Sequence, residues 1–336
     1  MKDILNKLLI LRTSGIGPVK YKKLQDEFGA DENIIEHLSL SNDFIDSVKR
    51  EMDQAYNLGI EYISDDDSRY PASLRNIKNH PIIISARGNI ETLSKKCVSI
   101  VGTRHSTAAG MNFISEIANA FAEHNFTVVS GMAMGTDTAA HRGALLSNGN
   151  AQTIAVLAGG VDYIWPLENE SLYYEIMERG VIISEMPVGM MPNAQNFVQR
   201  NRWVAGIGDS LIIGEADEKS GSMTTARFAI EYKKPVFAVP GHPSDARSEG
   251  PNSLIKKGLA IMCTSVNDFF DNKIDIKNKK NVKPENEILD KMGIIPVSES
   301  VLANLVKKSV SEIKSELVIL ELQGLIRKQD GGYVLN

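Results

Sequence analysis

The sequence predicts a doubly wound α/β fold, preceded by a small helical domain and followed by a winged helix. Short runs rich in Val and Ile, punctuated by Gly and Ser, alternate with amphipathic helical stretches through the middle of the chain. This alternation indicates a parallel sheet whose strands are buried on both faces. The runs cover residues 98–101, 127–130, 153–157, 181–183, 211–213 and 236–239.

The composition is that of a globular chain with a large core. Of its 336 residues 43% are hydrophobic and 24% are charged, which favours two or three domains. No secretion signal and no run long enough to cross a bilayer is present, so we expect a cytoplasmic protein without membrane contact.

Cys97 and Cys263 are the only cysteines and stand far apart, which predicts buried thiols and neither a disulfide nor a metal site. The net charge of −5 disfavours bulk coating of duplex DNA and leaves room for a local basic groove.

The N-terminal domain is expected over residues 1–90 and the α/β domain over 91–270. In the first of these, Gly15-Ile16-Gly17-Pro18 separates two helical patterns. This turn favours a plain helical hairpin with Pro18 in the first turn of its second helix. The alternative is a SAM/helix-hairpin-helix-like domain whose free N–H groups grip a DNA phosphate.

The C-terminal part divides into a linker and a winged helix. Residues 271–285 are lysine-rich with few apolar anchors, and cannot bury enough surface to fold alone. Residues 286–336 predict three short helices, at 288–292, 301–306 and 310–322, and a hairpin that turns at Asp330-Gly331-Gly332.

Two turns at strand ends predict an anion site. The first contains Gly102, Arg104 and Ser106, which combine backbone N–H groups with a planar cation suited to phosphate. The G-x-G-x-x-G fingerprint of a dinucleotide site is missing here, as is an acidic residue at the end of the next strand. The second turn begins with Ser130-Gly131, whose small residues permit the close approach of a ligand.

Asp137 and His141, four residues apart, are compatible with half a metal site or an acid/base pair. The structural interpretation is favoured, because no third ligand or nucleophile accompanies them. Trp165, further along the chain, can stack on a base or pack beside Pro166.

The most informative stretch holds Arg200 and Arg202, expected at the crevice above the strand ends. Two guanidinium groups there need a negative ligand to offset their desolvation, although salt bridges to Glu185 or Glu215 are the alternative. Further on, Lys219 precedes a helix start, where hydroxyls and N–H groups again suit a phosphate. The residues of that helix start are Ser220, Gly221 and Ser222.

Taken together, these stretches resemble the DprA (Smf) DNA-processing family over nearly the whole chain. The motifs are RYPASL, IVGTRHS, VVSGMAMGTDTAAHRGAL, IISEMPVG, FVQRNRWVAGI, EADEKSGSMTTA, FAVPGHP and EGPNSLIKKG, in this order. The resemblance implies a Rossmann-like domain that binds single-stranded DNA, without a cofactor and without covalent chemistry. It also implies transfer of that DNA to the recombinase RecA during natural transformation or recombination, by a homodimer.

The resemblance carries DNA binding over, by position, to the residues of the two strand-end turns and of the helix start. These are Gly102, Arg104, Ser106, Ser130, Gly131, Lys219, Ser220, Gly221 and Ser222, together with Arg200 and Arg202. Leu254 and Ile255 fall near the segment that the family uses to dimerise. The sequence departs from the family at Val198, Trp165 and Met223, where Pro, Tyr and Leu are common. These exchanges should tune packing more than binding.

Two other functions are alternatives to this one. Related folds include phosphoribohydrolases, whose glutamates would align near Arg227 and Phe228, neither of which is an acid or base at neutral pH. Glu231, one turn later, keeps that alternative open. A duplex-binding regulator would read DNA with residues 309–322, but Lys314 is the only base there, so protein contact fits that module better.

Overall fold

The computed structural model describes residues 2–147, 153–270, 287–292, 296–322, 325–329 and 331–335. It divides into two compact units, Met1–Phe269 and Phe270–Asn336.

The first unit is built on one sheet, which has nine strands within the described residues, in the order β1-β2-β6-β5-β4-β3-β7-β8-β9. The strands are β1 Ile60–Ser64, β2 Ile83–Gly88, β3 Cys97–Val101, β4 Thr127–Ser130, β5 Thr153–Val156, β6 Val181–Ser184, β7 Leu211–Ile213, β8 Val236–Ala238 and β9 Ile261–Met262. In this spatial order, each strand from β6 to β9 is parallel to the next. The strand β2 is antiparallel to both of its neighbours, β1 and β6. The doubly wound parallel sheet predicted from the Val- and Ile-rich runs is therefore confirmed.

The direction of the chain across the sheet reverses beside β3. From β3 the strands β4, β5 and β6 follow on one side, and β7, β8 and β9 on the other. The carboxyl ends of β3 and β7 thus flank a topological switch point, where helices diverge and leave a crevice. Every residue of β3, β4, β5, β6, β7 and β8 is buried, as expected of strands covered by helices on both faces.

The helices of the first unit precede the sheet or connect its strands. They are α1 Lys2–Arg12, α2 Pro18–Phe28, α3 Asp31–Leu38, α4 Asn42–Asn57, α5 Ala72–Arg75, α6 Ala108–Glu123, α7 Thr136–Leu146, α8 Glu170–Arg179, α9 Ala194–Ile207, α10 Gly221–Glu231 and α11 Glu249–Lys256. In α6 the buried positions Ile114, Ile117 and Phe121 lie three and four residues apart, which is the stripe of a helix that covers a sheet.

The helices α1 to α4 share a core of their own, with Leu8, Ile10, Tyr21 and Ile34 almost fully buried. The region expected to be a helical domain, residues 1–90, also contributes β1 and β2 to the large sheet. These strands extend the sheet beside β6, because their apolar residues are buried against it and against the helices.

The second unit has the elements of a winged helix. Its helices are α12 Glu299–Val306 and α13 Val310–Leu322, and its hairpin strands are β10 Ile326–Gln329 and β11 Gly332–Leu335. Of the helix expected at 288–292, the structure has one 3-10 turn, Leu289–Lys291. The expected linker, residues 271–285, lies outside the described residues.

Both cysteines are buried free thiols, and burial raises the pKa of each to about 12. Among the described residues no helix is both long enough and apolar enough to span a bilayer. The same residues contain no cluster of metal-ligating side chains.

Candidate nucleic-acid interface

A cleft of about 350 Å³ lies at the switch point, above the carboxyl ends of β3 and β7. It is walled by the turn after β3, by one face of α9 and by the start of α10. Six of the residues predicted for the site from the sequence line it, namely Gly102, Arg104, Arg200, Ser220, Gly221 and Ser222. The topology therefore brings three separate sequence motifs to one place.

Arg200 supplies a buried cation at the floor of the cleft. Its side chain is only 7% exposed, and Nη1 donates to the carbonyl oxygen of Val156, 3.3 Å away. Its Nε has no hydrogen-bond partner among the described residues. A permanently charged group with a free donor in a buried setting favours an anionic ligand that accepts from it.

Asp137 accompanies Arg200 below the cleft, with 3.9 Å between its Oδ2 and Arg200 Nη1. Its Oδ2 also accepts from the backbone N–H groups of Gly131 and Ala133, at 3.2 Å each. Burial raises the pKa of Asp137, and the Arg200 charge and these amides oppose that shift. At this separation the Asp137 carboxylate holds the Arg200 guanidinium in place, and some of the N–H donors of Arg200 remain free.

His141 does not contact Asp137 through a hydrogen bond. The Thr153 hydroxyl donates to the carbonyl oxygen of Val128 and so accepts from His141 Nδ1, 2.7 Å away. Burial lowers the pKa of His141 to about 3, so the ring is neutral at pH 7. This arrangement supports the structural interpretation of Asp137 and His141.

Arg104 lies exposed at the rim of the cleft. Its guanidinium carbon is 5.1 Å from the centroid of the Trp165 ring and 5.5 Å from that of Phe197. These two rings are themselves in edge contact, with centroids 4.7 Å apart. The rim thus combines a cation with two aromatic surfaces, the combination that single-stranded nucleic acid binders use for phosphate and base.

The start of α10 forms the opposite wall. Ser220 caps the helix by accepting from the backbone N–H of Ser222, 3.4 Å away, and the two hydroxyls are 2.8 Å apart. Lys219 is exposed, and its backbone N–H donates to Asp217 Oδ1. An N-terminus of this kind presents N–H groups and a positive dipole end to the cleft.

Other predicted site residues support the turns and do not line the cleft. Ser130 is fully buried, and its hydroxyl donates to the carbonyl oxygen of Ile100. The Ser106 hydroxyl lies 2.7 Å from that of Thr136. Gly131 lies directly against the Arg200 guanidinium. These residues hold the two strand-to-helix turns in register.

Arg202 lies away from the cleft, because it is two positions after Arg200 on the same helix and projects from another face. Its guanidinium carbon is 5.0 Å from the Trp203 ring centroid, and its Nε donates to the Tyr232 hydroxyl at 3.4 Å. The alternative salt bridge to Glu215 is ruled out, since that carboxylate accepts from the N–H and hydroxyl of Thr107 at 2.7 and 2.6 Å.

Sequence reasoning missed Thr103, His105, Asn201 and Thr225, which also line the cleft. Asn201 Nδ2 donates to the carbonyl oxygen of Gly221, 3.3 Å away, and so joins α9 to α10. Its position next to Arg200 was a usable signal, since neighbours on a helix can flank the same crevice.

Comparison with known proteins agrees with this geometry. Residues 61–273 match the family model of DNA recombination-mediator protein A, and residues 281–332 match the DprA winged helix domain. Protein Smf of Escherichia coli (strain K12) is 32% identical over 285 residues, which are 80% of this chain and 75% of that protein. Protein Smf of Synechocystis is 30% identical over 307 residues, 85% of this chain and 72% of that protein.

Solved structures of similar sequence share the fold. DNA processing protein A of Streptococcus pneumoniae superposes with a TM-score of 0.67 at 30% identity, covering 80% of this chain and 97% of that one. The Helicobacter pylori protein, whose single-stranded DNA binding mode has been described, gives 0.58 at 31% identity, covering 64% and 97%. The family model covers well over half of the chain, and this chain therefore belongs to the DNA recombination-mediator protein A (DprA/Smf) family.

Proposed function

We propose that the protein binds the sugar-phosphate backbone of single-stranded DNA in the cleft at the switch point and acts as a recombination mediator. The observation that carries this proposal is the buried Arg200 guanidinium, which faces a cleft walled by the helix start at Ser220-Gly221-Ser222. Arg104 and the two rings beside it would engage the next nucleotide at the rim. The similar H. pylori protein, which binds single-stranded DNA, supports the same ligand class.

The experiment is fluorescence anisotropy with labelled oligothymidine and with a duplex of equal length, over a salt series. Arg104→Ala is expected to weaken binding of the single strand by about 1–3 kcal/mol, the range for a hydrogen bond to a charged group. It should also lower the slope of log K against log salt by roughly 0.7, the value for one phosphate contact. Arg142→Ala, which removes another exposed arginine, in α7, is the matched control. An unchanged slope in Arg104→Ala would remove this residue from the interface.

We further propose that the bound strand is handed to RecA. Membership in a family of recombination mediators supports this step. The measurement is the ATPase activity of RecA on single strands precoated with a single-strand-binding protein. Added protein should shorten the lag before ATP hydrolysis, and Arg104→Ala should restore the lag in proportion to its loss of DNA affinity. A lag that does not respond to the wild-type protein would contradict the proposal.

A homodimer is proposed through the segment from α11 to β9. Leu254 is buried in the core of its own chain, so Leu254→Arg would test folding and not association. Leu259 and Met262 in the same segment are 46% and 53% exposed, and β9 is an edge strand of the sheet. These residues, with the partly buried Ile255, form the apolar surface that a second copy would cover. Met262→Lys should give a monomer by light scattering, whereas Lys257→Met, an exposed change on the same segment, should not.

We propose that the cleft binds its nucleic-acid ligand and does not hydrolyse it. Asp137 is the carboxylate that lines it, and this group is engaged by two amides and by Arg200. Glu231, the residue that kept hydrolysis open, is at the far end of α10 from the cleft wall. A thermal-shift and product screen with nucleotides checks this proposal, and release of a free base would contradict it.

A further inference from the structure

Within the part of the chain that the structure describes, four side-chain hydroxyls line the cleft at the switch point. Three of them are engaged inside the protein. The Thr103 hydroxyl accepts from the backbone N–H of His105 at 3.2 Å, and the hydroxyls of Ser220 and Ser222 lie 2.8 Å apart. The fourth belongs to Thr225, which is 1% exposed and makes no hydrogen bond through its hydroxyl to any described residue. Thr225 thus carries a buried polar atom that the fold itself does not use.

A free hydroxyl at this position has a local cause. A hydroxyl inside a helix commonly donates to the carbonyl oxygen four residues earlier, as Ser315 does to Ser311 at 3.3 Å. For Thr225 that oxygen belongs to Gly221, and it accepts from Asn201 Nδ2 at 3.3 Å. Since the same oxygen is the helical acceptor of the Thr225 backbone N–H, both of its lone pairs are used. Asn201 therefore keeps the Thr225 hydroxyl available to the cleft.

Arg200 supplies a second unused donor to the same cleft. Its Nε has no partner among the described residues, and its side chain is 7% exposed. Arg200 and Thr225 lie on α9 and α10, the two helices that the hydrogen bond from Asn201 to Gly221 joins. A buried donor without an acceptor costs free energy, and a ligand that accepts from both donors would remove that cost at both.

The acceptor that fits this pair of donors is a phosphodiester. It spreads one negative charge over two non-bridging oxygens, so one oxygen can accept from the guanidinium and the other from the hydroxyl. A base carbonyl offers a single oxygen and no charge, and would leave Asp137 as the counter-charge of Arg200. The two donors therefore favour the backbone of the strand over its bases.

We propose that Thr225 is a DNA-contacting residue, whose hydroxyl donates to the phosphate that Arg200 binds. Asn201 is then a positioning residue, because it occupies the carbonyl oxygen to which the Thr225 hydroxyl would otherwise return. This inference rests on the proposed binding of single-stranded DNA in the cleft. It gives Thr225 a specific signature, since loss of a hydroxyl that has no partner in the protein should lower affinity for DNA without lowering stability.

The test is Thr225→Val, which exchanges the hydroxyl for a methyl group of similar size. Anisotropy with labelled oligothymidine should show a loss of about tenfold in affinity, the low end for a hydrogen bond to a charged group. The slope of log K against log salt should keep its wild-type value, because no charge is removed. The urea midpoint should not fall, since the folded protein loses no hydrogen bond and no longer buries an unpaired hydroxyl. A lower midpoint would assign the hydroxyl a structural role and overturn the inference.

Two further variants are matched to this one. Thr225→Ser keeps the hydroxyl and removes a buried methyl group, so it should restore most of the wild-type affinity while it lowers the urea midpoint. Thr224→Val changes the neighbouring threonine, which is half-buried and does not line the cleft, and should alter neither quantity. Equal affinity of Thr225→Val and wild type for oligothymidine would overturn the contact.

The role of Asn201 is tested by combining it with the same change. In Asn201→Ala the carbonyl oxygen of Gly221 is free to take back the Thr225 hydroxyl, so Thr225→Val should cost little further affinity in that background. An undiminished loss there would overturn the positioning role of Asn201.

An oligomer of the same length without bases separates the two kinds of acceptor. If a phosphate accepts from Thr225, the affinity ratio of wild type to Thr225→Val should be the same on the abasic strand as on oligothymidine. A ratio near one on the abasic strand would overturn the assignment in favour of a base carbonyl. Failure of the wild type to bind oligothymidine would overturn the proposed function as well, whereas tight binding that does not depend on Thr225 would overturn this inference alone.

Discussion

A β-carbon placed on Gly131 would lie 1.2 Å from Nη1 of Arg200. The turn after β4 and the side chain from α9 therefore occupy adjoining space, and the guanidinium fits only because residue 131 has no side chain. Since Gly131 has an ordinary backbone conformation, with φ outside the positive region, close approach and not turn geometry accounts for the glycine. This contact connects a small-residue motif in the sequence to the charge at the floor of the cleft.

Gly131→Ala should consequently displace Arg200. Because the guanidinium is buried and held by Val156 and Asp137, we expect a loss of about 1–3 kcal/mol in the free energy of unfolding, typical of overpacking. Weaker binding of oligothymidine should accompany it. Gly221→Ala is the matched control, since the nearest atom to its β-carbon is Asn201 Nδ2 at 3.9 Å. Its free energy of unfolding should change by less than about 0.5 kcal/mol, and a comparable loss in both variants would argue against the contact.

Asp137→Asn should destabilise the protein by about 3 kcal/mol, because it leaves the buried Arg200 charge without its counter-charge. Arg200→Met on its own should also be destabilising, because it leaves the Asp137 carboxylate buried without its counter-charge. In the double variant the two losses should not add, and the coupling energy should be at least about 1 kcal/mol. Urea denaturation of the four proteins measures this cycle, and additive losses would show that the two groups act independently.

Trp165 should report on DNA binding. The chain has two tryptophans, and Trp203 is buried, so Trp203→Phe leaves Trp165 as the single indole. A strand that draws the Arg104 guanidinium from the Trp165 ring, or stacks on that ring, will change its emission. We expect quenching on titration with oligothymidine. The complementary variant Trp165→Phe should give a nearly constant signal from Trp203, and the reverse pattern would place the strand elsewhere.

Glu185 should make stability fall as the pH rises. Burial raises its pKa from 4.5 to about 7, so the folded protein binds a proton more readily than the unfolded chain between these values. The stabilisation is fully present below pH 4.5 and is lost as the pH passes through about 7. Relative to wild type, Glu185→Gln should gain roughly 2 kcal/mol between pH 5 and pH 8. Urea denaturation at several pH values measures this difference in the free energy of unfolding. Glu116→Gln, which changes an exposed carboxylate on α6, serves as the control. A difference between wild type and Glu185→Gln that does not depend on pH would contradict the buried carboxyl group.

The strands of the sheet could be predicted because local pattern fixes them. Residues 98–101, 127–130 and 211–213 were expected as strands and are strands, since a Val- and Ile-rich run between turn residues has few other ways to bury itself. The pairing of β1 and β2 with β6 was not predicted. Antiparallel pairing at a sheet edge depends on what the rest of the chain leaves uncovered, which no local pattern records.

The separation of Arg200 from Arg202 has the same origin. Both arginines looked equivalent along the chain, but residues two positions apart on α9 project from nearly opposite faces of the helix, and only Arg200 lies under the cleft. Glu185 was considered as a salt-bridge partner, whereas the burial that raises its pKa depends on the N-terminal turn and the loop after β6 lying side by side.

By itself the sequence determined the alternation of strands and helices, the glycine- and serine-rich turns at the strand ends, and the cations beside them. Those features follow from periodicity and side-chain chemistry, which act over a few residues. Only the tertiary structure decided which cations converge, which are buried and which carboxylates reach them. Burial and distance arise when segments far apart in the chain pack together, and they set whether a charge is free to bind a ligand.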